Sequence, residues 1–203
     1  MSLSIVEKTA YDDWMQNVIN LYNNNRFQEA EVFLRYQKEN GNNTPDIIYH
    51  MAYVYYNLQR YFDSLSQIEK IEIDKVEAIR REAFKDNIFS LKAKIYIELK
   101  KYDEAMMLYE YLSKKNPENI NYKYRLAITY GLINKPDEAI KLLEEINEET
   151  PGLLYIVKKL GHAYDIKKEF SKARAYFKYA LRMDPGDMLI ENRLKVYDQY
   201  LNT

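Results

Sequence analysis

The stretch from Leu160 to Pro185, LGHAYDIKKEFSKARAYFKYALRMDP, contains the pattern that decides the fold. Small residues stand at Gly161 and Ala173, and large apolar residues recur around them at helical spacing. The stretch holds two apolar periodicities of about 3.6 residues, separated by a short polar break, which is typical of two amphipathic helices. It therefore predicts a helical hairpin, in which small residues at a fixed phase allow the two helices to approach closely.

The small residue of this pattern recurs along the chain in a constant context. In four of five cases an aromatic residue stands three positions before it, often with an acidic residue directly before it, as in Tyr102-Asp103-Glu104-Ala105; at Ala139 a proline, Pro136, replaces the aromatic residue. The equivalent small residues are Ala30, Ser64, Ala105, Ala139 and Ala173, and the differences between successive numbers are 34, 41, 34 and 34. A series this regular indicates an internal repeat, and we call its common interval the repeat period.

Further positions share this period. Nine residues before four of the small residues stand Tyr55, Tyr96, Tyr130 and Tyr164, and twelve residues after the last three stand Pro117, Pro151 and Pro185. Together with Trp14 and Gly161, the pattern resembles the tetratricopeptide repeat (TPR) family over roughly residues 11–186. The resemblance implies an all-α fold, a right-handed superhelix of about five TPR helical hairpins plus a C-terminal capping helix.

We therefore expect residues 1–203 to form a single TPR array. The predicted repeats are about 11–44, 45–78, 86–119, 120–153 and 154–186, and a capping helix follows at 187–201. Four residue pairs, each an N-cap residue followed by proline at the first helical position, are interpreted as helix starts. These pairs are Thr44-Pro45, Asn116-Pro117, Thr150-Pro151 and Asp184-Pro185.

The interval from Ser64 to Ala105 is 41 residues, seven more than the repeat period. This 41-residue step inserts two helical turns between the second and third repeats. We expect a charged helical extension near 75–85 that sticks out of the array. The sequence Asp74-x-x-Glu77 resembles a capping box, which favours a first helix of the third repeat that starts near Lys75. An elongated second helix in the second repeat is the alternative.

Composition excludes several classes of protein. The chain has no cysteine, which excludes disulfides and thiolate metal sites. Thirty Lys and Arg against 31 Asp and Glu leave a net charge of −1, whereas a nucleic-acid-binding chain is normally basic. No apolar run is long enough to span a membrane, and the first residues lack the apolar core of a secretory signal. We expect a cytoplasmic protein, unless a leader has been removed.

No catalytic constellation is visible in the sequence. His50 and His162 fall in different predicted repeats, too far apart to share a metal or a proton. There is no Gly-rich phosphate-binding motif, and only five glycines are scattered along the chain. We therefore predict a protein that is not an enzyme and that has no cofactor and no metal site.

The resemblance also implies a binding surface, because in TPR folds the first helices of successive hairpins line a concave groove. Along the chain, the residues that map to this groove are mainly aromatic in the first repeats and mainly basic in the last ones. They are Tyr22, Tyr49, His50, Tyr53, Tyr56, Asn57, Lys94, Asn121, Tyr124, Arg125, Tyr155, Lys158, Lys159, His162 and Arg193. The alternative for the tyrosines is that they pack between neighbouring hairpins.

These side chains favour a polypeptide as the ligand. Tyrosine gives a large contact area at a low cost in conformational entropy, and Lys and Arg pair with carboxylates. We predict a non-catalytic adaptor or scaffold that binds a protein or peptide segment with acidic and apolar residues. The alternatives are a client-specific chaperone, for example of a secreted protein, and a self-associating structural subunit, which would form a homodimer. Neither a nucleic-acid partner nor a membrane span in this chain is expected.

Overall fold

The computed structural model describes the backbone of residues 5–201 and the side chains of residues 13–199. Over that backbone the chain is all-helical, with eleven α-helices, a 3-10 turn at Ile73–Lys75 and no β-strand. The helices are α1 (Ile5–Asn23), α2 (Phe27–Glu39), α3 (Pro45–Asn57), α4 (Tyr61–Ile68), α5 (Ala78–Glu98), α6 (Tyr102–Lys115), α7 (Ile120–Leu132), α8 (Pro136–Glu149), α9 (Leu154–Ile166), α10 (Phe170–Met183) and α11 (Met188–Leu201).

The chain divides between Lys100 and Lys101 into two compact units. Unit 1 contains α1 to α5. Within it α1 packs on α2 and α3 packs on α4. Unit 2 contains α6 to α11, in which α7 packs on α8, α9 on α10, and α11 on α10. The division falls between the two helices of the third predicted repeat, so the single array over 1–203 stays a prediction.

A repeated turn connects the two helices of each predicted hairpin. Five residues in these turns have a left-handed backbone with φ between 54° and 64°, and they follow the same series of spacings as the small anchor residues. They are Asn25, Gln59, Lys100, Asn134 and Lys168. At the second turn, the Gln59 amide donates to the Tyr56 carbonyl at 2.9 Å and the Arg60 amide to the Tyr55 carbonyl at 2.8 Å. This pair of bonds is a Schellman motif, which satisfies the last carbonyls of the first helix.

Substitutions at Lys168 and Asn134 test how much the left-handed backbone of this turn costs in stability within unit 2. Left-handed backbone is unfavourable for lysine, whereas asparagine tolerates it and glycine adopts it freely. We expect Lys168→Gly to raise the free energy of unfolding by about 0.5–1 kcal/mol. The matched change Asn134→Gly should have a clearly smaller effect. Urea denaturation of both variants checks this, and an equal change in the two would contradict it.

The small anchor residues of unit 1 lie in its core. Ala30 and Ser64 are fully buried, and so is Ala52 on α3, which contacts Ser64; Trp14 and Leu34 are larger side chains of the same core. The Ser64 hydroxyl donates to the Ala52 carbonyl at 2.6 Å. Serine can therefore replace the alanine of the other repeats, because its hydroxyl is buried with a hydrogen-bond acceptor.

The residues inserted by the 41-residue step pack against α3. Arg80, in the first turn of α5, donates to both carboxylate oxygens of the buried Asp46 at 2.9 and 2.5 Å. One turn further, the buried Phe84 ring lies 5.5 Å from the Tyr49 ring. The prediction that this extension sticks out is therefore wrong within unit 1, because a charge pair and an aromatic contact hold it on the N-terminal half of α3.

The start of α5 also differs from the prediction. Asp74 lies in the 3-10 turn, α5 begins at Ala78 rather than near Lys75, and no side chain caps it at Glu77. The capping box does not form. The extra length still belongs to this first helix, since α5 has 21 residues and α4 only eight.

Only one of the four predicted proline helix starts is confirmed. Thr44 caps α3, and Pro45 follows as its first residue. Pro117, Pro151 and Pro185 instead stand three residues before the first residues of α7, α9 and α11. The residue before each of these three prolines ends the preceding helix with an extended φ of −127° to −139°. Proline disfavours the helical conformation in the residue before it, and here that effect ends a helix.

Two tyrosines of the repeat pattern connect helices within unit 2. The Tyr130 hydroxyl on α7 donates to Glu110 on α6 at 2.8 Å, and the Tyr164 hydroxyl on α9 donates to Glu144 on α8 at 2.5 Å. The two pairs are offset by one repeat period. Burial, and then the glutamate, raises the pKa of Tyr130 to about 12. In unit 2 this repeat position therefore connects α7 to α6 and α9 to α8.

Candidate interaction surface

The first-helix face, which carries the predicted groove residues, is tightly packed at the start of unit 1. The Tyr22 hydroxyl lies 3.2 Å from His50 Nδ1 and donates to the His50 carbonyl at 3.3 Å. The edge of the Trp14 ring meets His50 at a centroid distance of 5.9 Å. Burial lowers the pKa of His50 to about 4, against a weaker opposing effect of Asp46. The imidazole is therefore neutral at pH 7 and serves as a packing group.

The other tyrosines of this face are half-buried and contact further aromatic rings. Tyr53 lies 5.0 Å from Tyr22 between ring centroids, and Tyr56 lies 6.0 Å from Tyr61. Tyr49 contacts both the His50 ring, at 5.4 Å, and the Phe84 ring. These contacts connect α1, α3, α4 and α5, so the rings contribute to packing inside unit 1.

Two polar residues complete the predicted set in unit 1. The Asn57 side-chain amide donates to the Tyr53 carbonyl at 2.8 Å, one turn back in the same helix. Lys94 lies half-buried on α5. The amide of Asn57 thus has an acceptor in its own helix.

The first-helix face of unit 2 is more open. The rings of Tyr124 on α7 and Tyr155 on α9 meet edge to face, 5.0 Å apart between centroids. The Tyr155 side chain keeps 41% of its surface exposed, and Asn121 and Arg125 on α7 are exposed as well. This contact places the faces of α7 and α9 side by side, with polar and aromatic groups accessible to a ligand.

Two of the predicted basic residues are already engaged by carboxylates of unit 2. Lys158 Nζ lies 3.0 Å from Asp184 and 2.7 Å from Asp187. Hydrogen bonds to these carboxylates, Asp187 first, raise the pKa of Lys158, and the pKa of Asp187 is lowered in turn. Arg193 on α11 donates to Asp165 on α9. These pairs connect α9 to the start and the middle of α11.

Lys159 and His162 are exposed on α9. The His162 ring meets the buried Phe177 ring edge to face at 5.0 Å. Partial desolvation, and then the positive charge of Lys159, lowers the pKa of His162, and Arg193 acts in the same direction. Lys159, His162 and Arg193 therefore share one neighbourhood, in which the imidazole is neutral at pH 7.

Two family models, each described as tetratricopeptide repeat, match residues 96–155 and 159–187. These ranges contain α6 to α10, whose hairpins, left-handed turns and Tyr–Glu bonds recur once in every repeat period. The chain contains tetratricopeptide repeats.

Solved structures of other TPR proteins have the same fold. The C-terminal part of a TPR protein from Cytophaga hutchinsonii is 21% identical with a TM-score of 0.73, covering 90% of this chain and 69% of that one. YrrB, described as a TPR protein with an unusual peptide-binding site, is 18% identical with a TM-score of 0.67 and covers 90% of each chain. MamA from Desulfovibrio magneticus RS-1 is 15% identical with a TM-score of 0.69, covering 87% and 96%.

A curated relative is much longer than this TPR chain. The human protein O-mannosyl-transferase TMTC1 is 26% identical over 146 residues, which are 72% of this chain but 16% of that protein. This partial match does not establish an enzymatic activity. TPR folds are generally non-catalytic scaffolds for protein interactions, and the repeats support that general role here.

The repeat register assigns two residues of α11, which the sequence analysis missed, to positions equivalent to those of predicted groove residues. Leu189 and Val196 stand one repeat period after Tyr155 and His162, and their side chains are 83% and 39% exposed. The signal was present, because the repeat period continues through Pro185 into α11. The apolar surface of the first-helix face therefore extends beyond the fifth predicted repeat.

Three of the six acidic side chains of α8 contact basic residues or a tyrosine hydroxyl within unit 2. Asp137 lies 2.7 Å from Lys167 Nζ, and Glu149 lies 2.6 Å from Lys123 Nζ. Glu144 accepts from Tyr164, as described above. These carboxylates therefore connect α8 to its neighbours in the same unit.

The described part of the chain contains neither a candidate metal site nor a candidate membrane-spanning helix. Among the side chains of residues 13–199, no group of His, Asp and Glu is arranged to hold a metal ion. None of the described helices is both long and apolar enough to cross a membrane.

Proposed function

We propose that this TPR protein is an adaptor or scaffold that binds a polypeptide segment on the first-helix face of unit 2. The observation that carries the proposal is the group of accessible side chains on α7, α9 and α11. Tyr155 and Leu189 offer apolar surface there, and Arg125 and Lys159 offer positive charge. Such a mixture fits a segment with apolar and acidic residues.

Unit 1 has a smaller part in this proposal. Its predicted groove tyrosines contact other aromatic rings, so removing Tyr53 or Tyr49 would disturb packing as well as binding. The exposed residues of unit 2 are better probes, since truncating them leaves the core intact.

A matched pair of double variants tests the proposal. Tyr155→Ala with Lys159→Ala alters the first-helix face, and Tyr179→Ala with Lys178→Ala removes the same residue types from α10. The two tyrosines are similarly exposed, at 41% and 37%. Partners are captured from the source cell with each variant and identified by mass spectrometry. We expect about tenfold less recovery with the first pair, the effect of losing an aromatic anchor, and wild-type recovery with the second.

The opposite result would contradict the proposal. If the α10 pair loses the partner and the α9 pair retains it, the second helices form the binding surface. Far-ultraviolet circular dichroism of both variants excludes unfolding as the cause of a loss.

A further inference from the structure

His162 lies among charged side chains on the first-helix face of unit 2. Lys159 and Asp165 stand three residues before and after it on α9, and residues three apart on a helix are neighbours on its surface. Arg193 on α11 donates to Asp165. The imidazole, Lys159 and Arg193 are all exposed, so one ligand group can reach the three of them together.

A series of ring contacts holds His162 close to α10 and α11. The imidazole meets the buried Phe177 ring edge to face, 5.0 Å apart between centroids. Phe177 stacks on Tyr197 with a centroid distance of 6.2 Å, and the Arg193 guanidinium lies 5.6 Å from the centroid of the Tyr197 ring. These contacts bring the imidazole of α9 and the guanidinium of α11 into one neighbourhood.

The charges of this neighbourhood are balanced while the imidazole is neutral. Three cations and three carboxylates from α9, from α11 and from the chain before α11 surround His162 or pair with its neighbours, and α10 contributes the apolar Phe177 ring. The cations are Lys158, Lys159 and Arg193, and the carboxylates are Asp165, Asp184 and Asp187. A protonated imidazole adds a fourth cation. The neighbourhood therefore attracts an anion most strongly when His162 is protonated.

We propose that Lys159, His162 and Arg193 form a binding site for a carboxylate of the partner segment, and that His162 takes up a proton from the solvent when this carboxylate binds. We call these three residues the carboxylate site. The inference rests on the proposed function and adds the group that recognises the acidic residue of the ligand. A protonated imidazole donates from both ring nitrogens, and hydrogen bonds between charged groups are shorter and stronger than neutral ones.

Proton uptake makes the affinity depend on pH in a defined direction. Partial desolvation, and then the charge of Lys159, lowers the pKa of His162 in the free chain. A carboxylate next to the ring favours the charged form and raises that pKa. The imidazole is therefore neutral in the free chain at pH 7.5, and a carboxylate should bind more tightly as the pH falls towards 5.5.

The range from pH 7.5 to 5.5 isolates His162 from most other groups. The chain contains two histidines, and burial lowers the pKa of the other one, His50, to about 4. The carboxyl groups of a glutamate peptide titrate near pH 4.3, roughly one unit below this range. A gain in affinity across the range therefore reports the protonation of His162.

Two synthetic hexapeptides test the carboxylate site. One alternates glutamate with leucine and the other glutamine with leucine, so the two differ in charge but hardly in shape. Both have an amidated C-terminus and an N-terminal fluorescent label, and binding to the full chain is followed by anisotropy at low salt. We expect the glutamate peptide to bind about threefold more tightly at pH 5.5 than at pH 7.5, because one additional exposed charge pair forms. The glutamine peptide should show no such gain.

Variants and a second readout connect the gain to the site. His162→Gln keeps a polar side chain that takes up no proton, and it should remove the gain. Lys159→Ala should weaken the glutamate peptide about threefold, whereas Lys178→Ala on α10 should not. In wild type, an NMR titration of the two histidines should show that the glutamate peptide raises the pKa of His162 and leaves that of His50 unchanged.

Several results would overturn the carboxylate site. These are equal affinity of the glutamate peptide at the two pH values, an unchanged pKa of His162 in its presence, and no binding at either pH. Tighter binding of an oligouridylate than of the glutamate peptide would also overturn it, because the site would then recognise phosphate. The proposed function fails separately, if the captured partner is insensitive to the Tyr155 and Lys159 pair.

Discussion

Replacement of Gly161 by alanine is expected to lower the free energy of unfolding by about 1–3 kcal/mol, because it overpacks the core of unit 2. A Cβ at this position would lie 2.6 and 2.7 Å from Cε1 and Cδ1 of Phe177. Phe177 is fully buried and cannot move without displacing its neighbours. The clash should outweigh the gain of about 1 kcal/mol that alanine brings to a helix.

Gly131 is the matched control for this change. It is also a helical glycine of unit 2, on α7, and a Cβ there meets no atom within 4 Å. Gly131→Ala should therefore raise the free energy of unfolding by up to about 1 kcal/mol. Urea denaturation measures both variants. A gain of equal size at Gly161 would show that the contact between α9 and α10 is not sterically tight.

The second large effect is a loss of stability of unit 1 in mild acid. Burial lowers the pKa of His50 from 6.5 to about 4. The unfolded chain binds a proton at His50 below about pH 6.5, while the folded chain resists protonation down to about pH 4. The contribution of His50 to the free energy of unfolding is therefore fully present above pH 6.5 and is lost as the pH falls towards 4. The difference between these two pKa values corresponds to about 3 kcal/mol of stability.

Comparison of wild type with His50→Gln isolates this contribution from the carboxylates. Urea denaturation between pH 7.5 and pH 4 should give a steeper loss of stability for wild type than for the variant. His162→Gln is the control, because that imidazole is exposed and its pKa is less strongly lowered. Parallel profiles for wild type and His50→Gln would show that His50 has no strongly lowered pKa.

The fold could be predicted because a few positions, at which only small residues fit, recur at the repeat period. Ala30, Ala105 and Ala173 are fully buried, as the small anchors of a hairpin must be, and their regular recurrence is visible without a structure. Helix termini were less predictable. Thr44-Pro45 and Thr150-Pro151 look alike in sequence, yet the first begins α3 and the second follows α8. Proline permits either role, and the surrounding packing decides between them.

Only part of the candidate surface could be predicted from the sequence. The repeat register identifies the first-helix face, but the availability of a side chain there depends on residues far along the chain. The Tyr22 hydroxyl contacts the His50 ring on another helix. Lys158 forms ion pairs with Asp184 and Asp187, which follow the next helix. Lys159, one residue from Lys158, has no such partner among the described side chains. Contacts of this kind follow from packing rather than from the repeat pattern.

Cross-linking at two tyrosines tests the central claim, that unit 2 binds its partner on the first-helix face. A photoreactive phenylalanine analogue is placed at Tyr155 on α9 or at Tyr179 on α10, which are similarly exposed. Each protein is irradiated with the partner identified by capture. We expect a strong cross-link from position 155 and little from position 179. A dominant cross-link from position 179 would contradict it.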